Sequence, residues 1–154
     1  MIIHSSITDR LKNQHLVICE LIKDMDNALI NKRPAENKWS IKDNIAHIAY
    51  YHKIFLNRME LILKGNEIIF KRYNPDEDHE FNNWRKLSKE ELLGRLYAFR
   101  LKVIDYLEEL KDADLEKTGT HQKYGKMNVV QWIEFFLLHE AHHIYTIFKL
   151  SRIK

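Results

Sequence analysis

The sequence predicts an all-α fold, a four-helix bundle, on three observations. Apolar residues recur at three- and four-residue steps in four separate stretches, the period at which a helix buries one face. Each stretch opens on a short polar side chain with a second polar residue three positions on, the pattern of a reciprocal helix cap. No comparable stretch alternates with period two, so no sheet of consequence is expected.

The first stretch carries Leu11, Ile18, Ile22, Met25 and Leu29 behind the pair Ser6 and Asp9. Pro34 follows in the first connection, where a residue without an amide proton belongs. The second stretch, behind Ser40 and Asp43, carries Ile41, Ile45, Ile48, Phe55, Met59 and Ile62. The third, behind Ser88 and Glu91, carries Leu92, Leu96, Phe99, Val103, Tyr106 and Leu110. Gly119 and Gly125 break the chain ahead of the fourth, which starts at Asn128 and Gln131 and carries Trp132, Phe136, Ile147 and Leu150. The connection from Gly65 to Leu87 is the longest. It holds Asn74-Pro75, the acidic run Asp76, Glu77 and Asp78, and the aromatics Phe70, Tyr73, Phe81 and Trp84. At about 3.3 Å per residue it is long enough to cross a bundle end to end, which lets the third helix run parallel to the second. Its aromatics predict a docked segment.

The 154 residues argue for a single domain spanning 1–154, with a core of its own. Hydrophobic residues at 45% and charged residues at 31% are ordinary for a globular chain and exclude collagen-like and disordered classes. A net charge of +3, from 25 basic and 22 acidic residues, is too small for a dedicated nucleic-acid or membrane-surface binder. No apolar run approaches the roughly 18 residues of a membrane span. The single cysteine, Cys19, has no intrachain partner, and the opening MIIHSS lacks the long apolar run of a secretory signal. The expectation is a cytoplasmic protein whose partners are small molecules or proteins.

Nine histidines are many for this length. His139 and His143 are four apart, which places them a turn apart on one helix face, the spacing at which two imidazoles reach one cation. Composition alone yields roughly half a chance pair of this spacing, so placement decides its weight. Trp132, Phe136, His139, His143, Thr146 and Leu150 follow the inward seam of the fourth helix, so both histidines interrupt an apolar face. A buried imidazole is costly unless its nitrogens are engaged, and a metal ion engages them. Such an ion takes at least three protein ligands. His142 should point off the seam. His47 and His52 both reach the edge of the second helix's apolar face, and periodicity does not choose between them. Axial position favours His47. It lies about 10 Å into the second helix, while His139 and His143 lie about 16 and 22 Å into a fourth about 34 Å long, so antiparallel helices bring them level. An up-down-down-up four-helix bundle, with the long crossover between helices 2 and 3, supplies that arrangement. His15 reads as a satisfied core residue near the first apolar face. His4, His79 and His121 fall in terminal or loop segments and read as solvated.

His139-Glu140-Ala141-His142-His143 also matches the zinc-peptidase pattern H-E-x-x-H. Only eleven residues follow His143, none of them His, Asp or Glu, and no strand is at hand to pair a peptide substrate. The peptidase reading is therefore set aside. Glu140 points about 100° from His139, toward the surface or a supporting place behind the ligands.

Trp39-Ser40, His47 seven residues after that serine, and His139-x-x-x-His143 on the last helix resemble the DinB/YfiT-like metal-dependent proteins, from about Trp39 to the last helix. The resemblance implies an up-down-down-up bundle with a divalent metal held by His47, His139 and His143, and so settles His47 over His52. Zinc or nickel leads as the metal, with iron or manganese behind them. Similar members include thiol S-transferases that use bacillithiol, mycothiol or glutathione. The expectation is a metal-dependent transferase that activates a low-molecular-weight thiol for attack on an electrophile, with no nucleic acid or membrane partner and a homodimeric assembly. The alternatives are a noncatalytic metal-binding stress-response bundle and a metal-water hydrolase. Tyr50, Tyr51, Arg58 and Trp132 are candidates to line the cavity. Because only neutral imidazole ligates, metal affinity is expected to fall near pH 6.5.

Overall fold

The computed structural model describes residues 3–65 and 67–152. The first arm is α1 (Ser5–Asn13), a 3-10 turn at Gln14–Leu16, α2 (Val17–Ile22) and α3 (Asn27–Asn31). The single first helix expected from periodicity is thus broken. The 3-10 turn lets Gln14 donate to the carbonyl of Leu137, and Asp26 restarts the helix by accepting from the Leu29 amide at 2.8 Å. The N-cap of α1 is His4, whose Nδ1 accepts from the Ser6 amide, in place of the expected Ser6.

The three other predicted starts stand. Ser40 and Asp43 form a reciprocal capping box on α4 (Ile41–Leu63). The segment after α4 carries β1 (Ile69–Phe70) and α5 (His79–Trp84), the latter capped by Asp78. Phe70, Phe81 and Trp84 are buried, so the segment is docked. Ser88 and Glu91 box the start of α6 (Lys89–Glu108). Then come α7 (Asp112–Leu115), β2 (Thr118–His121) and β3 (Gly125–Asn128), and finally α8 (Val129–Ser151), boxed by Asn128 and Gln131.

A small sheet is present where none of consequence was expected. β1 pairs parallel with β2, and β2 pairs antiparallel with β3. Strands of two to four residues are too short to impress a period on the sequence. The sheet is pressed hard against the end of α4. A methyl group at Gly119 would lie 2.7 Å from Ile62 and 2.9 Å from Phe70.

Side-chain pairs define the helix directions. Along α4 and α8, Asn44 meets His143, Tyr51 meets His139, Phe55 meets Phe136 and Arg58 meets Trp132, so the two helices are antiparallel. The starts of α4 and α6 share one apolar cluster, through Ile41, Ile45, Leu92 and Leu96, while their ends share another, through Met59, Ile62, Val103 and Leu107. They run parallel. Arg10 with Glu134 and Gln14 with Glu140 set the first arm parallel to α8. The order is up-down-down-up. No described helix is long and apolar enough to cross a membrane.

Candidate metal centre

The capping box at Ser40 fixes where α4 begins, and therefore the turn on which Asn44 and His47 stand. Antiparallel packing brings that turn against His139 and His143 of α8. His47 Nε2 lies 3.2 Å from His139 Nε2, and one nitrogen from each of the three histidines lies within 4.8 Å of the other two. Nitrogens bound at about 2.0–2.1 Å to one octahedral or tetrahedral ion are about 2.8–3.4 Å apart, so the first pair already has the spacing of a coordination edge. Among the described residues neither His47 nor His139 bonds a carbonyl, as satisfied core histidines do, and the buried Nδ1 of His47 has no hydrogen-bond partner. The donor set fits a cation.

Burial first, and the neighbouring imidazoles second, hold His47 well below the ordinary histidine value and His139 down at about 3. His143 is lowered to about 4, chiefly by burial and then by His142. The three rings are neutral at pH 7 and ready to ligate. Proton competition for the metal is thereby moved below the pH of about 6.5 expected for free histidine.

Asn44 is a site residue that sequence reasoning missed. Its Nδ2 donates to the Ser40 carbonyl at 2.8 Å, which leaves Oδ1 facing His143 Nδ1 at 2.9 Å. An amide oxygen only accepts, so His143 carries its proton on Nδ1 and presents a lone pair at Nε2. The one available signal was a polar residue three positions before His47 on a buried face. Trp39 was legible only as part of the family resemblance. Its ring lies 5.0 Å from that of His47 and 5.9 Å from that of His143.

The histidines open on a cleft of about 1270 Å³ between α4, α8, the β-hairpin and the segment after α4. Of the four lining candidates, Tyr51 and Arg58 reach this cleft. Tyr50 instead donates to Glu80 at 3.3 Å, and Trp132 is buried with its Nε1 on the Gly119 carbonyl. His142 lines the cleft from an exposed position beside the three ligand candidates. His121, expected in solvent, is buried at the end of β2 among Tyr124, Trp132 and Phe135, because the hairpin folds it under its own turn.

Glu140 is neither at the surface nor beside the ligands. It is 2% exposed and paired with Arg100 on the opposite side of α8, with Gln14 donating to it at 2.9 Å. Burial pushes its carboxyl up, against the pull of Arg100 and Gln14. It faces away from the histidine group, which removes the general base of the peptidase reading. His52 is fully buried on that same side, with Nδ1 on the Ile48 carbonyl and Nε2 3.9 Å from Glu140. His15 is buried against Tyr97, but its Nδ1 lacks a partner among the described residues, so it is less satisfied than expected.

A helical bundle that turns three neutral imidazoles toward one another on the wall of an open cleft defines a class, the four-helix-bundle proteins with a three-histidine group suited to a metal. Residues 16–147 match the DinB superfamily, and the chain belongs to that family. It is 24% identical over 131 residues to a protein of Oceanobacillus iheyensis named provisionally as a metal-dependent hydrolase, covering 85% of this chain and 76% of that one. Its fold is similar to that of YfiT from Bacillus subtilis, described as a probable metal-dependent hydrolase with an unusual four-helix bundle topology, at TM-score 0.82 and 17% identity over 96% of this chain and 85% of that one. It is also similar to the DinB-like protein YjoA of Bacillus subtilis, at TM-score 0.62 and 19% identity over 96% of this chain and 90% of that one. These structural likenesses concern the fold.

Proposed function

We propose that the protein is a metal-dependent transferase in which His47, His139 and His143 hold one divalent ion and the cleft brings a low-molecular-weight thiol against an electrophile. The observation that carries this reading is the convergence of three neutral imidazoles, with no carboxylate among them, on an open cleft. A divalent ion held there keeps its full charge and supplies Lewis-acid activation of a thiol or water that reaches it. Imidazole donors suit zinc or nickel, and after them iron or manganese.

The chain's own groups orient and shield. Asn44 fixes the tautomer and rotation of His143, while Trp39, Tyr51 and Tyr73 wall the ligands with rings and limit water. An ion with a purely structural role is enclosed by protein ligands, whereas these side chains leave one flank to the cleft. Thiol is favoured over water because no described carboxylate stands free beside the histidines to draw a proton from water. Of the cleft's acids, Glu134 is held by Arg10 through two hydrogen bonds and Asp76 lies on the exposed crossover segment. A thiol, with an ordinary pKa near about 8.5, needs less help.

Hydrolysis, with water as the nucleophile, is the second reading. It is favoured by exposed His142 in the same cleft and by the names of the relatives. Metal analysis of untagged protein, followed by thiol addition to the cobalt-substituted form, tests the first reading. A sulfur-to-metal charge-transfer band and thiol-dependent turnover, both lost in His143→Ala, are expected. Turnover of an ester without any thiol, and no such band, would establish hydrolysis instead.

A further inference from the structure

Two arginines of the described chain are buried, and they are treated oppositely. Arg100 is paired with Glu140. Arg58, 8% exposed on α4, has no carboxylate within ion-pair distance among the described residues. Its Nη1 donates to the Tyr51 hydroxyl and its Nη2 to the Lys71 carbonyl, each at 3.1 Å, and both acceptors are uncharged. The rings of Tyr51, Phe70 and Trp132 lie 5.9, 5.5 and 5.6 Å from its guanidinium carbon. A guanidinium held in place by uncharged acceptors and rings, with N–H groups to spare and no counter-ion, is a fixed donor for an anion that enters beside it.

Arg58 lines the same cleft as the histidines, and so does His121. The Nδ1 of His121 accepts from the amides of Lys123 at 3.1 Å and Tyr124 at 3.3 Å, which leaves its proton on Nε2 as a second fixed donor. The Trp132 ring stands beside both, 5.6 Å from the guanidinium and 5.9 Å from the imidazole. Arg72, Lys123 and Lys126 add positive charge to the rim; of the cleft's two acids, Glu134 is already taken by Arg10 and Asp76 stands exposed on the crossover segment. Tyr51 joins this region to the metal candidates, since its hydroxyl accepts from Arg58 and its ring lies 4.0 Å from that of His139.

We infer that the cleft carries a subsite for an oxyanionic group of the substrate, a carboxylate or a phosphate, held by Arg58 and His121 one aromatic ring away from the three-histidine group. A planar guanidinium with free N–H edges matches either oxyanion. The assignment of a reacting end to the histidines rests on the proposed function; the anion subsite itself does not.

The test is calorimetric titration of the metal-free protein with succinate, with inorganic phosphate and with neutral succinamide. One of the anions should bind and succinamide should not, with preference for succinate identifying a carboxylate and preference for phosphate a phosphate ester. Arg58→Gln should weaken binding about tenfold or more, as expected for a hydrogen bond to a charged group. His121→Asn should weaken it several-fold, and His143→Ala should leave it unchanged. Should Arg58→Gln lose its helical circular dichroism, Arg58→Lys, which keeps the charge but not the fork, and His121→Asn carry the test, each with several-fold loss. The inference is overturned if neither anion binds at millimolar concentration, if succinamide binds as well as succinate, or if the Arg58 and His121 variants bind like wild type. It is equally overturned if zinc is required for anion binding, which would place the anion on the metal. Anion binding that survives while no thiol reacts refutes the proposed transferase and leaves the subsite standing.

Discussion

Asn44→Ala isolates a side chain that touches a ligand candidate without being one. The substitution removes the 2.9 Å contact to His143 Nδ1 and the 2.8 Å bond to the Ser40 carbonyl together. The second bond exists with or without metal, so it affects stability by about 0.5–1.5 kcal/mol and cancels from metal affinity. The first does not cancel. A hydrogen bond from a neutral imidazole contributes about 0.5–1.5 kcal/mol, and one from an imidazole polarised by a bound cation contributes about 1.5–3 kcal/mol. The difference, about 1–1.5 kcal/mol, corresponds to roughly tenfold weaker metal binding, at the lower end of the range for residues that support a ligand from behind. Competition with a chromophoric zinc chelator at pH 7 measures it, and circular dichroism melting of the metal-free protein gives the stability part. Asn44→Asp should recover affinity, because a carboxylate accepts from His143 at least as well, but not the lost Ser40 bond. Wild-type zinc affinity in Asn44→Ala would refute the supporting role and the tautomer assigned to His143.

The metal-free protein should lose stability as pH falls below about 6.5, because the buried His15, His47, His52, His139 and His143 protonate there only in the unfolded chain, each adding up to about 1.4 kcal/mol per pH unit. His15 and His143 are lowered to about 4 and His139 to about 3, so the native state binds fewer protons through that window and the decline continues to its acid end; urea unfolding that is unchanged from pH 7 to 4.5 would contradict it. Gly119→Ala should destabilise by about 1–3 kcal/mol through overpacking, since its methyl group would lie 2.7 Å from Ile62, and a melting temperature equal to wild type would show that the sheet yields. Glu140→Ala should cost about 3–5 kcal/mol by leaving Arg100 buried without its partner, yet refolded protein should bind zinc with wild-type stoichiometry, because Glu140 faces away from the histidines; loss of the metal with the helical signal intact would place Glu140 in the centre.

Features that act over a few residues are legible in the chain before it folds. The capping boxes at Ser40, Ser88 and Asn128 stand where a polar residue with its partner three positions on predicts them, because a cap joins side chain and backbone within one turn. The aromatics after Gly65 likewise announced a docked segment, and Phe70, Phe81 and Trp84 are buried. The His139–His143 pair was legible from spacing, and axial arithmetic pointed to His47. The fracture of the first arm was not legible, because Gln14 leaves the helical path for Leu137 and Glu140, more than 120 positions away.

Nor could periodicity separate His47 from His52. Ile41 and every residue from Asp43 to His52 is buried, so this part of α4 has no exposed face from which to read an inward one. What packs on each side decides. One side of the helix meets His139, His143 and the cleft, and the other meets Phe136, Glu140 and Arg100, so two histidines five positions apart receive opposite surroundings. The same holds for Glu140, for Asn44 and for His121 beneath its hairpin. Their roles depend on which distant charges and rings share their space, and only the tertiary structure brings those together.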